Sequence, residues 1–161
     1  MTTLPPDALN AIGVLTRREI EARLLIPLIE ALSKRFGESA VLEVVRQTIV
    51  EIARQQGQQL ADSLPANDLQ NFAGALENWK RGNAMEILVL EQTNQNFSFD
   101  VCRCRYAEMY QALGAQELGS LLSCSRDFAL VEGFNPAIRL ERTHTIMEGA
   151  QTCDFRYTKQ P

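Results

Sequence analysis

Arg142-Thr143-His144-Thr145-Ile146-Met147-Glu148-Gly149-Ala150-Gln151-Thr152-Cys153-Asp154-Phe155-Arg156-Tyr157 reads as a closing β-hairpin, with β-branched and aromatic residues flanking a Glu148-Gly149 turn signal. A loop of two or four residues centred there gives one register. In it, His144 sits opposite Cys153, Arg142 opposite Phe155 and Leu140 opposite Tyr157, all on one face. On the other face Thr145 meets Thr152, Thr143 meets Asp154 and Glu141 meets Arg156, a pair of opposite charge. A three-residue loop would shift the pairing by one and set Thr145 against Cys153. The stretch also carries the only histidine of the chain.

Upstream, Ile87-Leu88-Val89-Leu90, the polar Gln92–Asn96 and the alternating Phe97–Cys102 predict a second hairpin. Phe97, Phe99 and Val101 should face the core, with Ser98, Asp100 and Cys102 facing away. Between the hairpins lie two helical patterns. One carries Tyr106, Met109, Tyr110 and Leu113 and ends at Gly114; the other carries Leu118, Leu121, Leu122, Ser125 and Ala129 and ends at Gly133. Asn135-Pro136 then turns into the closing hairpin.

Three helices precede these elements. Thr16 caps the first, which has Ile20, Leu24, Leu25, Leu28 and Leu32 inward, a kink at Pro27 and an end at Gly37. The second carries Val41, Val44, Val45, Thr48, Ile49, Ile52 and Ala53 and closes near Gly57. Asn67 caps the third, with Leu69, Phe72, Ala73, Leu76 and Trp79 inward. Arg81-Gly82-Asn83 marks the change from helical to strand period. The expected fold is α+β: N-terminal helices, then two β-hairpins forming an antiparallel sheet with a helical pair between them. At 161 residues this fits one domain, with a helical part over 7–82 and a mixed part over 83–158.

Composition is that of a globular protein, with 45% hydrophobic residues, 22% charged residues and a net charge of -4. No basic stripe points to nucleic acid. The N-terminus lacks the blocks of a secretory signal, and no apolar run approaches the roughly 18 residues a membrane span needs. A cytoplasmic setting is expected, so that Cys102, Cys104, Cys124 and Cys153 remain thiols.

Cys102-Arg103-Cys104 is too tight for zinc-knuckle spacing. Cys104 starts a helix, where the N-terminal dipole and Arg103 and Arg105 would favour a thiolate; it also reads as a small buried apolar residue. Cys124 shares a helical face with Asp127, and Cys104 with Glu108. Cys153 and Asp154 point to opposite faces of a strand. His144 opposite Cys153 would make a thiolate–imidazole pair, although a lone strand histidine is more often a surface residue or a satisfied core residue. No phosphate loop, His-Glu-x-x-His motif or Gly-x-Ser-x-Gly elbow is present.

Several motifs occur in order: Cys104-Arg105-Tyr106-Ala107-Glu108, Leu113-Gly114, Cys124-Ser125-Arg126-Asp127, Phe134-Asn135-Pro136, Arg142-Thr143 and Gly149-Ala150-Gln151-Thr152-Cys153-Asp154-Phe155. With Arg17-Arg18-Glu19-Ile20 and Phe36-Gly37 upstream, the sequence resembles the L-2-amino-thiazoline-4-carboxylic acid hydrolase family. The resemblance implies hydrolytic opening of a small cyclic amidine, an isothiourea ring, to a carbamoyl-cysteine on a bacterial route to cysteine. Cys104, Cys124, Asp127, Cys153 and Asp154 match the family's recurrent positions; His144 and Cys102 do not.

Two chemistries fit. A thiolate, Cys104 or Cys153, attacks the amidine carbon while Asp127 holds the cationic nitrogen and water resolves the adduct. Alternatively, the three thiols and Asp127 hold a divalent metal that activates water, although no other cofactor is implied. The substrate carboxylate needs a cation from among Arg105, Arg126 and Arg142, and Asp154 and His144 complete the expected binding set. The competing reading is a non-catalytic sensor domain binding a small molecule or metal in a cysteine-lined pocket. The partner in either case is a small molecule, with no nucleic acid or membrane, and the sequence leaves room for a homo-oligomer.

Overall fold

The computed structural model describes Pro5 and residues 7–160. Most of the N-terminal stretch read for a secretory signal lies outside them, as does Pro161. Two long helices open the fold, α1 (Val14–Phe36) and α2 (Glu38–Ser63), joined by Gly37 at φ 91°. Two short helices follow, α3 (Leu69–Ala75) and α4 (Glu77–Lys80). The first hairpin is β1 (Met85–Gln92) and β2 (Asn96–Cys104). Then come α5 (Arg105–Ala112), α6 (Gln116–Gly119), a π-helical turn (Ser120–Cys124) and α7 (Arg126–Phe134). The chain closes with β3 (Ile138–Glu141), a 3-10 turn (Ile146–Glu148) and β4 (Cys153–Lys159).

The predicted α+β class is the observed one: the two hairpins lie side by side in an antiparallel sheet of order β1-β2-β4-β3. Phe97, Phe99 and Val101 of β2 are buried and Cys102 is exposed, as alternation requires. Phe155 and Tyr157 of β4 join that inner face, and the Phe99 and Phe155 rings stack 4.9 Å apart.

The helical stripes need correction. In α1 the buried residues are Val14, Arg18, Ala22, Ile26 and Ile29, whereas Ile20, Leu24 and Leu28 are exposed. The outer stripe is the more hydrophobic one, so periodicity alone points to it rather than to the stripe that carries Arg18 and Ala22. In α2, Ile49, Ala53 and Gly57 are buried and Val44 is exposed. Gly57 does not end its helix, which runs on to Ser63, and Gly133 stands one residue before the end of α7; both lie where α2 crosses α7. A Cβ on Gly57 would stand 2.1 Å from the Leu130 carbonyl oxygen, and one on Gly133 would stand 2.0 Å from that of Arg54. These glycines permit backbone-to-backbone contact. The α3 cap is Asp68, whose carboxylate accepts from the Asn71 N–H at 2.8 Å, while the Asn67 carbonyl accepts from Asn135.

The closing hairpin keeps its predicted register over β3, with Leu140 opposite Tyr157 and Glu141 opposite Arg156. The charge pair that argued for it does not form, because Arg156 binds Asp100 at 2.6 Å across the sheet on β2. Beyond Glu141 the ladder stops. Asp154 draws in the backbone N–H groups of Thr143 and His144, each at 2.9 Å, and a long connection replaces the tight turn. His144 therefore does not face Cys153.

The core has two parts. One packs α3 and α7 on the sheet through Leu69, Phe72, Phe99, Phe134 and Tyr157. The other packs α1 against α5 and the π turn through Ala22, Ile26, Tyr110, Leu122 and Met147. Trp79, Met85, Cys104 and Ile146 border both. No described helix is long and apolar enough to cross a membrane.

Candidate functional site

A cavity of about 80 Å³ opens at the seam of the two core parts, lined by Cys104, Cys124, Cys153, Asp127, Arg126, Arg142 and Arg18, with Trp79, Met85 and Tyr106 among the walls. The three cysteines come from three elements. Cys104 ends β2 and stands at the N-cap position of α5; its sulfur accepts no capping hydrogen bond, but the backbone N–H groups of Tyr106 and Ala107 lie on its side and favour the thiolate. Cys124 is delivered by the π turn, whose wide hydrogen bond runs from Ser125 N to the Ser120 carbonyl at 2.9 Å. Cys153 opens β4 and accepts from the Ile146 N–H at 3.2 Å.

All three thiols sit above the ordinary thiol range. Burial pushes Cys104 up, against the pull of those two N–H groups. Burial, then the nearby Asp127 charge, pushes Cys124 up strongly. Cys153 is pushed up to about 11 by burial, against the Ile146 N–H. The sequence-based expectation that Arg103 and Arg105 activate Cys104 does not hold. Arg103 pairs with Glu108 at 2.8 Å on the surface, and Arg105 donates to the Gly82 carbonyl at 3.0 Å.

Asp127 bonds directly to Arg142, whose other Nη donates to the Cys124 carbonyl at 3.1 Å and whose guanidinium lies over the rings of Phe128 and Phe155. Burial pushes the Asp127 carboxyl up and Arg142 opposes it. Among the described residues no group of three or more His, Cys, Asp or Glu side chains is placed to hold a metal ion.

Of the nine expected site residues, Cys104, Cys124, Cys153, Asp127, Arg126 and Arg142 line the cavity, and Arg105, Asp154 and His144 do not. His144 is exposed, with Nδ1 2.9 Å from Thr143 Oγ1 and Nε2 3.1 Å from Thr152 Oγ1. Asp154 organises the 142–145 loop, and the Thr143 and His144 contacts hold its carboxyl low despite some burial. Arg18 was missed. Its signal was a charge in phase with Val14, Ala22, Ile26 and Ile29, with Glu21 three residues on to receive it.

No curated protein matches the chain. Among solved structures it is similar to a trafficking protein particle complex subunit 3 from Naegleria fowleri covalently bound to palmitic acid. The identity is 10% and the TM-score 0.54, over 91% of this chain and 96% of that one, a likeness of fold. The L-2-amino-thiazoline-4-carboxylic acid hydrolase family profile matches residues 17–157, so the chain belongs to that family of hydrolases, which act on a cyclic amidine C–N bond.

Proposed function

We propose that this cavity opens the ring of L-2-amino-thiazoline-4-carboxylic acid with Cys104 as nucleophile. The observation that carries the reading is the meeting of cysteines from three separate elements with one acid–guanidinium pair in a single small cavity. Cys104 is favoured over its neighbours because it stands at the N-terminus of α5, where the backbone N–H groups of Tyr106 and Ala107 favour its thiolate. The resting thiol is protonated. A cationic amidinium arriving beside it favours the thiolate, and the thiol proton passes by way of Asp127 to the ring nitrogen.

The sulfur bonds to the amidine carbon, the ring C–N bond breaks, and the ring nitrogen leaves as an amine. Every substrate atom stays on the enzyme in this adduct. Water then adds to the same carbon, Cys104 leaves with a proton, and a carbamoyl-cysteine is released. Cys124 and Cys153 supply a soft wall around the reacting carbon, and Arg142 fixes Asp127. A volume of about 80 Å³, with guanidiniums and a carboxylate set among apolar walls, suits a small charged solute better than a long acyl chain.

Four free thiols fit a cytoplasmic protein, and the exposed face of α1 fits pairing with a second copy. Ile20, Leu24 and Leu28 are 61%, 68% and 48% exposed, and Phe36 and Val44 are equally open on the same helical pair. Exposed large apolar side chains of this kind are what a pairing surface requires. The activity test is turnover of the thiazoline by wild type and Cys104→Ser, followed by product formation. Loss on the order of a hundredfold or more is expected for the variant, and undiminished turnover would remove Cys104 from the chemistry.

A further inference from the structure

We infer that Arg18 and Arg126 form the subsite that takes the substrate's carboxylate, an assignment that rests on the ring-opening reading above. Both guanidiniums are buried, line the cavity, and share a single acceptor: Arg18 Nη1 and Arg126 Nη2 donate to the same oxygen, Glu21 Oε2, at 2.7 and 3.3 Å. Arg126 Nε is taken by the Leu122 carbonyl at 2.7 Å. Its Nη1 is buried without a partner, one of two such side-chain atoms among the described residues. A buried donor left unpaired is costly, and this one belongs to a charged group.

The charges agree with the geometry. Asp127 and Arg142 compensate each other, whereas Glu21 is shared by Arg17, Arg18 and Arg126 with Asp7 also on Arg17, so two carboxylates face three guanidiniums. Burial, then the repulsion of Arg18, holds Arg126 down to about 10. A carboxylate beside the pair supplies the missing negative charge, and the missing acceptor once the Arg126 guanidinium turns its Nη1 toward the cavity, in the planar geometry a guanidinium prefers. Arg142 has no such vacancy, since Asp127 and the Cys124 carbonyl occupy its Nη atoms. The substrate is thereby oriented with its carboxylate toward α1 and its amidine carbon toward the thiols.

Trp79 lines the cavity and is the only tryptophan, so its emission reports binding without turnover. The probes are L-2-amino-thiazoline-4-carboxylate and 2-amino-thiazoline, which lacks the carboxylate. Wild type should bind the carboxylate form about 30-fold tighter or more, and Arg126→Met should reduce that preference to about threefold or less. Arg18→Met should weaken it in the same direction. The wild-type comparison needs no variant, so it stands even where a variant does not fold. Equal binding of both probes, binding of neither, or a preference that survives both substitutions would overturn the subsite. Carboxylate-dependent binding without turnover would keep the subsite and defeat the ring-opening reading, and turnover indifferent to the carboxylate would do the reverse.

Discussion

The thiols differ in exposure, and reactivity should follow. Cys102 is exposed and outside the cavity; Cys153 is buried, with a pKa pushed up to about 11. At pH 7 such a thiol is ionised only about once in 10⁴ molecules. Iodoacetamide at neutral pH should therefore modify Cys102 first, with Cys104, Cys124 and Cys153 following slowly and faster as pH rises above 9, read by peptide mapping. Rapid modification of Cys153 at pH 7 would mean its sulfur is not held as the structure has it. Arg126 and Arg18 are the residues at which ligand should matter most. A concentration of the thiazoline carboxylate that raises Tm in wild type should raise it much less in Arg126→Met, as a thermal shift assay would show.

At the scale of elements, the α2–α7 crossing depends on two glycines. Gly133→Ala places a methyl group against the Arg54 carbonyl and should cost about 1–3 kcal/mol or more, seen as a lower urea midpoint. A substitution there without effect would show that the helices can part freely. This crossing also marks where sequence reading reached its limit. Gly57 and Gly133 are legible as glycines, but whether a glycine ends a helix or admits another backbone depends on a partner element that periodicity does not reveal. The strand elements were more transparent, because alternation in β2 has one solution. The β3–β4 register was legible up to Glu141 and lost beyond it, since Asp154 spends its carboxylate on backbone N–H groups, a tertiary competition with the ladder. Arg18 was hidden by a rival stripe: Ile20, Leu24 and Leu28 outscore the Ala22 and Arg18 that are in fact inside.

Across the whole molecule, the cavity lies where two core parts meet, so its lining groups are buried by the fold as a unit. Burial pushes up Cys124, Cys153 and the phenols of Tyr106 and Tyr110, the last to about 12. The unfolded chain, with ordinary values, loses these protons first. Their contribution to stability is complete below about pH 9 and is lost as pH rises from there through the folded values. Urea midpoints should hold near pH 8 and fall by pH 10.5; a flat profile would contradict the burial of these groups. The outer face of α1 should bring two copies together, and Leu24→Glu should shift a dimer to monomer in light scattering, whereas a monomeric wild type would set that pairing aside.

Attack of Cys104 on the amidine carbon is open to test by quenching the enzyme in acid during turnover of L-2-amino-thiazoline-4-carboxylic acid and mapping the adduct by mass spectrometry. An added mass equal to the whole substrate is expected on the peptide containing Cys104, present in Cys102→Ser and absent in Cys104→Ser. Sustained turnover by Cys104→Ser, or an adduct carried by another residue, would remove Cys104 from the role of nucleophile.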